Sequence, residues 1–229
     1  MYGRCDDTSR WVHDDLGGDA FYLYMPLFRP NAQPAGVAAW PKSHAWFERW
    51  QAAGERTIRF FVEPVVLTIN YAIGVLGYSS VLMMGKSGGG WTTTLAAALD
   101  PRIGASFAVA GSLPLRFQPR QWDFEQRPRP RNRSAEEAPW YLDVCDYECL
   151  YMLAATPAEQ LVAAAAPTAE RWPQPMPTPQ PTPTPRLAMQ ILHEADPCCW
   201  AGRGRHAAIR AYESSVNSRL RGAGVSGAE

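Results

Sequence analysis

Lysine is almost absent from this chain. Lys42 and Lys86 are the only two among 22 basic residues, and 22 acidic residues balance the charge to zero. Without an excess of either sign there is no long-range field to draw in nucleic acid or an anionic membrane, so neither is expected as a partner. Long apolar runs are lacking too, and no segment approaches the roughly 18 residues that a membrane-crossing helix needs. The opening stretch, Met1 to Arg10, is polar and acidic and has no apolar centre of the kind a secretory signal carries. A cytoplasmic location is the default expectation. Cysteine is sparse and odd in number: Cys5, Cys145, Cys149, Cys198 and Cys199. An odd count with one adjacent pair does not suggest a disulfide framework. Cys145 and Cys149, four apart, are expected on one helix face. A four-sulfur zinc site with Cys198 and Cys199 would lack the usual C-x-x-C knuckles, so buried free thiols are the expectation. No metal or organic cofactor is called for.

What is present is enough apolar material for a core. Hydrophobic residues make up 46% of the 229 and charged residues 19%, which suits one domain spanning 1–229. "ERTIRFFVEPVVLTINYAIGVLG" (Glu55 to Gly77) has the length and apolar spacing of a helix despite Pro64, and Gly77 is placed to close it. "FYLYMPLF" (Phe21 to Phe28), "SSVLMM" (Ser79 to Met84), "GASFAVAGS" (Gly104 to Ser112) and "RLAMQILHEAD" (Arg186 to Asp196) read as strands. "WTTTLAAALDP" reads as a helix ended by Asp100-Pro101, and "GRGRHAAIRAYESSVNSRL" as the start of another. Strands alternating with helices predict a largely parallel α/β sheet flanked by helices. Residues 157–186 read as an Ala/Pro-rich insertion or linker, with every second residue proline from Pro173 on, and so as an exposed polyproline-type arm. Residues 222–229 read as a flexible tail, and Gln126 to Ser134 as a solvated basic loop.

The stretch "VLMMGKSGGGWTTT" (Val81 to Thr94) carries the chemistry. Gly85-Lys86-Ser87 could close a phosphate-binding loop, G-x-x-x-x-G-K-[ST], but the position of the first glycine holds Ser80. The four residues between, Val-Leu-Met-Met, form a hydrophobic strand and not a loop able to wrap a phosphate. The same residues read as G-x-S-x-G fit better. A buried strand runs into Gly85, Ser87 occupies a tight turn, and an alanine-rich helix follows. Gly85 and Gly89 would give the turn its room, and the Gly88 amide at the helix start could donate to an oxyanion.

At these residues the chain resembles the α/β-hydrolase superfamily, and in particular a bacterial branch with Ser-Gly-Gly-Gly-Trp-Thr-Thr after the nucleophile strand. The likeness extends through "FFVEPVVLTINY", "AVAGSLPL" and "MQILHEADPCCW". It implies a partial α/β-hydrolase fold and a serine hydrolase acting on a small-molecule ester or peptide, with Ser87 as the nucleophile that forms an acyl-enzyme. Asp196, after a late strand in "ILHEADP", would be the acid of the triad, with Asp123 in reserve. The base should follow one further strand. His206, the only histidine after Asp196, lies at a helix start instead, while His193, His44 and His13 precede the acid. By the same likeness "DDTSRWVHDDLG" is a helix, Phe21 to Phe28 is the fourth strand, and Gly3 is the remnant of the loop with the second oxyanion donor. The chain then corresponds to an internal portion of such an enzyme. A non-catalytic relative that binds a protein partner through an open sheet edge or the proline arm is the alternative expectation.

Overall fold

The computed structural model describes residues 12–15, 17–24, 58–114, 144–165, 185–192 and 206–225. In chain order these hold α1 (Arg59–Gly74), β1 (Val81–Lys86), α2 (Gly88–Leu99), β2 (Ile103–Val109), α3 (Tyr147–Ala155), α4 (Ala158–Ala165), β3 (Leu187–Ile191) and α5 (His206–Gly222). The strands form one parallel sheet in the order β1-β2-β3, with Leu82 opposite Ala105 and Ala105 opposite Leu187. Parallel neighbours need a crossover rather than a hairpin, which is why helical segments lie between successive strands. The expected α/β class is the one observed.

Each element ends for a local reason. In α1 the residues Phe61, Val65, Ile69 and Ala72 are buried, one stripe of a 3.6-residue period. Pro64 lies inside this helix, and the Thr68 hydroxyl donates to its carbonyl at 2.8 Å. The helix stops at Gly74, three residues before Gly77, whose φ of +77° then turns the chain. Every residue of α2 from Gly90 to Ala98 is buried, which makes it the central helix of the layer. It ends where Asp100 leaves helical geometry and precedes Pro101.

The core lies on one side of the sheet. Phe61, Trp91, Leu95, Leu113, Tyr147 and Tyr151 form one cluster, closed by Tyr212, Val216 and Leu220 of α5. The Phe61 and Trp91 rings meet edge to face at 5.1 Å. Val65, Ile69, Ala96, Ala97, Ile103 and Ala154 form a second cluster against Val81, Met83 and Ala188 of the strands. The opposite face reads Leu82-Ala105-Leu187, Met84-Phe107-Met189 and Lys86-Val109-Ile191 across the register. Leu82 and Met84 are each 59% exposed there, and Leu187, Met189 and Ile191 are exposed as well. Parallel sheets are ordinarily covered on both faces. Among the described residues only one face is.

Arg186 ties the N-terminal end of the sheet together. Its Nε donates to the Ile103 carbonyl at 3.0 Å, and its Nη1 to those of Leu153 (2.8 Å) and Thr156 (3.2 Å). Its Nη2 donates to the carbonyls of Ala97 and Asp100. A guanidinium has five N–H groups, and all five find backbone oxygens here. Four of those oxygens belong to the ends of α2 and α3, which carry the negative pole of each helix dipole. Asp100 accepts from Arg102 Nε at 2.9 Å and Nη2 at 2.6 Å, and Arg102 Nη1 reaches Asn70 on α1 at 2.6 Å.

Several expectations are corrected. Residues 21–24 carry no strand and are exposed, although their aromatic content suits a buried one. None of the described strands pairs with them, and a strand exists only by its neighbours. Residues 25–28 lie outside the described residues. Cys145 precedes α3 instead of sharing a helix face with Cys149, and the two form a disulfide with Cα atoms 5.3 Å apart. The Asp146 carboxylate accepts the Cys149 amide at 2.9 Å and so starts the helix between them, a cap that bends the chain enough to bring the sulfurs together. Of the segment 157–186, residues 158–165 are helical and Arg186 is buried; 166–184 lie outside the described residues, as does Gln126 to Ser134. In the C-terminal tail Val225 is buried, its amide donating to the Leu220 carbonyl at 3.0 Å. Of the expected Asp6 to Gly17 helix, residues 12–15 are helical and Gly17 has left the helix with φ +63°.

Replacing Arg186 with Met should lower the unfolding free energy by about 3 kcal/mol or more, because it removes all five charge-assisted bonds to carbonyls of several elements. Urea denaturation would measure it, and Arg186→Lys should recover only part, since an ammonium cannot match the five-donor fork. A second expectation concerns alkaline pH. Burial pushes the Tyr212 hydroxyl up to about 12, with Glu213 adding to it, and pushes Tyr151 well above its ordinary value. The folded state therefore holds these protons more tightly than the unfolded chain. The stability linked to them is complete below the unfolded value of about 10 and is lost as pH rises towards 12. Between these limits the unfolding free energy should fall less with rising pH for Tyr212→Phe than for the native chain, as urea denaturation at each pH would show.

Candidate functional site

The turn between β1 and α2 is a place where the backbone is forced. Ser87 has φ +57° and ψ −122°, a region that favours glycine. Two contacts hold it there. Its amide donates to the Val109 carbonyl at 2.8 Å, which extends the β1–β2 ladder one step past the strand. Its carbonyl accepts the Trp91 amide at 2.9 Å, the first hydrogen bond of α2. The residue is thus strand on one side and helix cap on the other, and its side chain makes no capping bond. Ser87 is exposed at the C-terminal end of the sheet.

Glycines make the turn possible, though not the pair expected. A Cβ on Gly85 would fall on the Gly89 carbonyl and lie 2.7 Å from Thr93 Oγ1. Gly89 itself has open space around it, so the expectation that it needs to be small is corrected. The crowded partner is Gly90, where a Cβ would lie 2.6 Å from the Val109 carbonyl and 2.8 Å from Gly111 Cα. A Cβ on Gly111 would in turn collide with the Gly90 backbone and lie 2.6 Å from the Trp91 amide nitrogen. The first turn of α2 rests directly on the chain leaving β2, and two facing glycines permit that approach.

The threonines explain how so glycine-rich a helix start is kept. The hydroxyls of Thr92, Thr93 and Thr94 donate to the carbonyls of Gly88 (2.9 Å), Gly89 (2.9 Å) and Gly90 (3.2 Å). Each bond doubles a helical contact one turn back. Behind them lies a buried polar chain. Trp91 Nε1 donates to Tyr147 Oη at 3.0 Å, Ser112 Oγ meets Tyr151 Oη at 2.9 Å, and Gln190 Nε2 donates to Thr94 Oγ1 at 3.3 Å. Tyr147 and Tyr151, one helical turn apart on α3, therefore support α2 and the exit from β2. Ala110, immediately after β2, is the other non-glycine residue with positive φ (+47°) among the described residues.

The amides of Gly88, Gly89 and Gly90 precede the first helical hydrogen bond and have no acceptor within α2. Together with the dipole of a 12-residue helix they give this end of the sheet a positive character suited to a developing oxyanion. Of the other residues expected at the site, Gly3, Asp123, Asp196, His44 and His193 lie outside the described residues. His206 opens α5, whose Tyr212, Val216 and Leu220 pack into the α3 cluster. His13 is exposed and pairs with Asp14 at 3.1 Å. Among the described side chains, which do not include that of His206, no carboxylate or imidazole is in hydrogen-bond contact with Ser87. Sequence reasoning missed Gly90, Gly111 and the tyrosine pair. The pattern Tyr147-x-x-x-Tyr151 was visible, but nothing in it tells that Trp91 and Ser112 would be its partners.

Comparison with known protein families, with curated proteins and with solved structures finds no match for this chain.

Ser87→Gly should raise stability by about 1 kcal/mol, the strain that a non-glycine residue carries at such a backbone angle. Thermal denaturation of the variant checks it. A fall in midpoint would mean that the Ser87 conformation is not strained in solution.

Proposed function

We propose that the chain is a serine hydrolase of the α/β-hydrolase type, with Ser87 the nucleophile that attacks an ester or peptide carbonyl. The observation that carries this reading is the backbone of Ser87. A serine held in a strained, glycine-favouring conformation between a parallel strand and a helix, exposed beside the first-turn amides of that helix, is what nucleophile elbows require. A structural turn at this place would gain from glycine, and the position after Lys86 holds serine instead. Strain of this kind concentrates where a side chain has to be presented.

In the proposed reaction the Ser87 hydroxyl loses its proton to a base as Oγ bonds to the carbonyl carbon. The oxygen then carries negative charge, which the Gly88 amide at the α2 start would stabilise. Collapse expels the leaving group and leaves an acyl-enzyme for water to hydrolyse. Asp196 is supported as the acid by its place in the chain, five residues beyond the end of β3 at Ile191. In parallel sheets the carboxyl ends of the strands open on one edge, the usual location of sites. His206, the histidine that follows Asp196 in the chain, is the proposed base. The second reading, a non-catalytic binding relative, is favoured by one observation: the apolar face containing Leu82, Met84, Leu187 and Met189 is exposed, as a docking surface would be.

A fluorophosphonate distinguishes the two. On the hydrolase reading the folded chain gains one adduct by intact mass, at Ser87, and Ser87→Ala abolishes it. His206→Ala should slow labelling by about 100-fold or more if His206 is the base. No adduct on a chain whose circular dichroism shows it folded would leave the binding reading.

A further inference from the structure

The Cys145–Cys149 bridge does not join separate parts of the fold. Both cysteines belong to one turn of chain, with three residues between them, at the beginning of α3. Closing so short a loop removes little freedom from the unfolded chain, so the bond is a weak staple. Both residues are half-buried, within reach of a small reagent. What the bond does enclose is specific. Asp146, whose carboxylate caps the Cys149 amide, and Tyr147, which is fully buried, are two of the three enclosed residues. Tyr147 Oη accepts the indole N–H of Trp91, and the Trp91 amide in turn donates to the Ser87 carbonyl. A continuous set of contacts therefore runs from the disulfide, through Tyr147 and Trp91, to the forced turn.

We propose that Cys145–Cys149 is a site of reversible thiol exchange, and that its oxidation state sets how firmly the first turn of α3 seats Trp91 beneath the Ser87 turn. The reductant is a low-molecular-weight thiol of the glutathione class. Its thiolate attacks Cys145 Sγ, an RS–S bond forms, and the protein S–S bond breaks with its electron pair leaving on Cys149. Cys149 sits in the first turn of α3, where the helix dipole favours a departing thiolate. A second thiolate displaces Cys145 and releases RSSR. Two electrons pass from the two thiols to the bridge, and the two protons those thiols lose end on Cys145 and Cys149. Oxidised glutathione reverses each step. With the covalent clamp open, the turn keeps the Asp146 cap but loses its covalent closure, and Tyr147 bears on Trp91 less tightly.

The experiment equilibrates the full chain, carrying Cys5→Ser, Cys198→Ser and Cys199→Ser, in mixtures of reduced and oxidised glutathione. Acid quenching, alkylation and intact mass read the dithiol fraction, and hydrogen exchange follows peptides covering 144–155 and 88–95. The expected result is complete, reversible interconversion in the folded state, with protection of the amides of Cys149 to Tyr151 falling about tenfold on reduction. Cys149→Ser should show the reduced pattern whatever the glutathione ratio. A bridge that opens only in denaturant, thiols that oxidised glutathione leaves free, or equal protection in both states would each overturn the proposal. If the triple-serine background does not fold, differential alkylation of the native chain with peptide mapping reads the same pair. None of these readouts depends on Ser87 reacting, so the inference stands or falls apart from the hydrolase reading.

Discussion

One side chain gives the described unit its cohesion. The Arg186 guanidinium spends every N–H on a main-chain carbonyl, and those carbonyls come from α2, α3, their exits and the start of β2. Arg186 itself immediately precedes β3. Strands β2 and β3 and helices α2 and α3 are thus indexed to one point at the N-terminal end of the sheet. Desolvation lowers its pKa, partly offset by the nearby Asp100, yet arginine stays charged under any ordinary condition. A buried cation with no direct carboxylate partner among the described residues is tolerable because carbonyls at helix ends, where the dipoles are negative, supply the compensation.

The other end of the sheet is organised by approach instead of charge. Gly90 and Gly111 let the first turn of α2 lie on the chain leaving β2, and that closeness forces Ser87 into its unusual backbone angles. The two ends cooperate. Fixing the C-terminal end of α2 with Arg186 fixes the direction in which its N-terminal turn meets β2. The threonine hydroxyls and the Trp91–Tyr147 bond then hold a turn that glycine content alone would leave loose. Strain at Ser87 is small against that support, which is why it can persist.

The parts legible in the sequence are those written in local pattern. The strand–turn–helix around Ser87, the helix ended at Asp100 and the alternation that implied a parallel sheet all follow from apolar periodicity and breaker residues, and all are observed within a few positions. What escaped depends on partners distant in sequence. Phe21 to Tyr24 has the composition of a strand, but a strand requires a neighbour, and none of the described strands lies beside it. Arg186 looked like the end of a proline-rich linker because its acceptors lie up to 89 residues away. Gly90 was hidden behind Gly89: a motif of three glycines does not say which one faces the neighbouring strand. The cysteines were misjudged for a different reason. Counting them cannot foresee that the Asp146 cap would bend the chain and bring Cys145 onto Cys149.

The exposed sheet face bears on how the two functional readings relate. Leu82, Met84, Leu187, Met189 and Ile191 point away from both core clusters, whereas the contacts described around the Ser87 turn come from β1, β2 and the chain leaving it, α2, α3 and Gln190 of β3 on the covered side. The turn is therefore assembled independently of whatever covers the open face. A formed Ser87 conformation does not by itself require a complete enzyme, because the acid and base of the proposed triad belong to segments beyond β3. The strain nevertheless carries a cost that the fold could shed with one substitution to glycine. A serine at that angle is easier to understand if its hydroxyl is used than if the turn merely joins a strand to a helix. That asymmetry is why the hydrolase reading is placed ahead of the binding one.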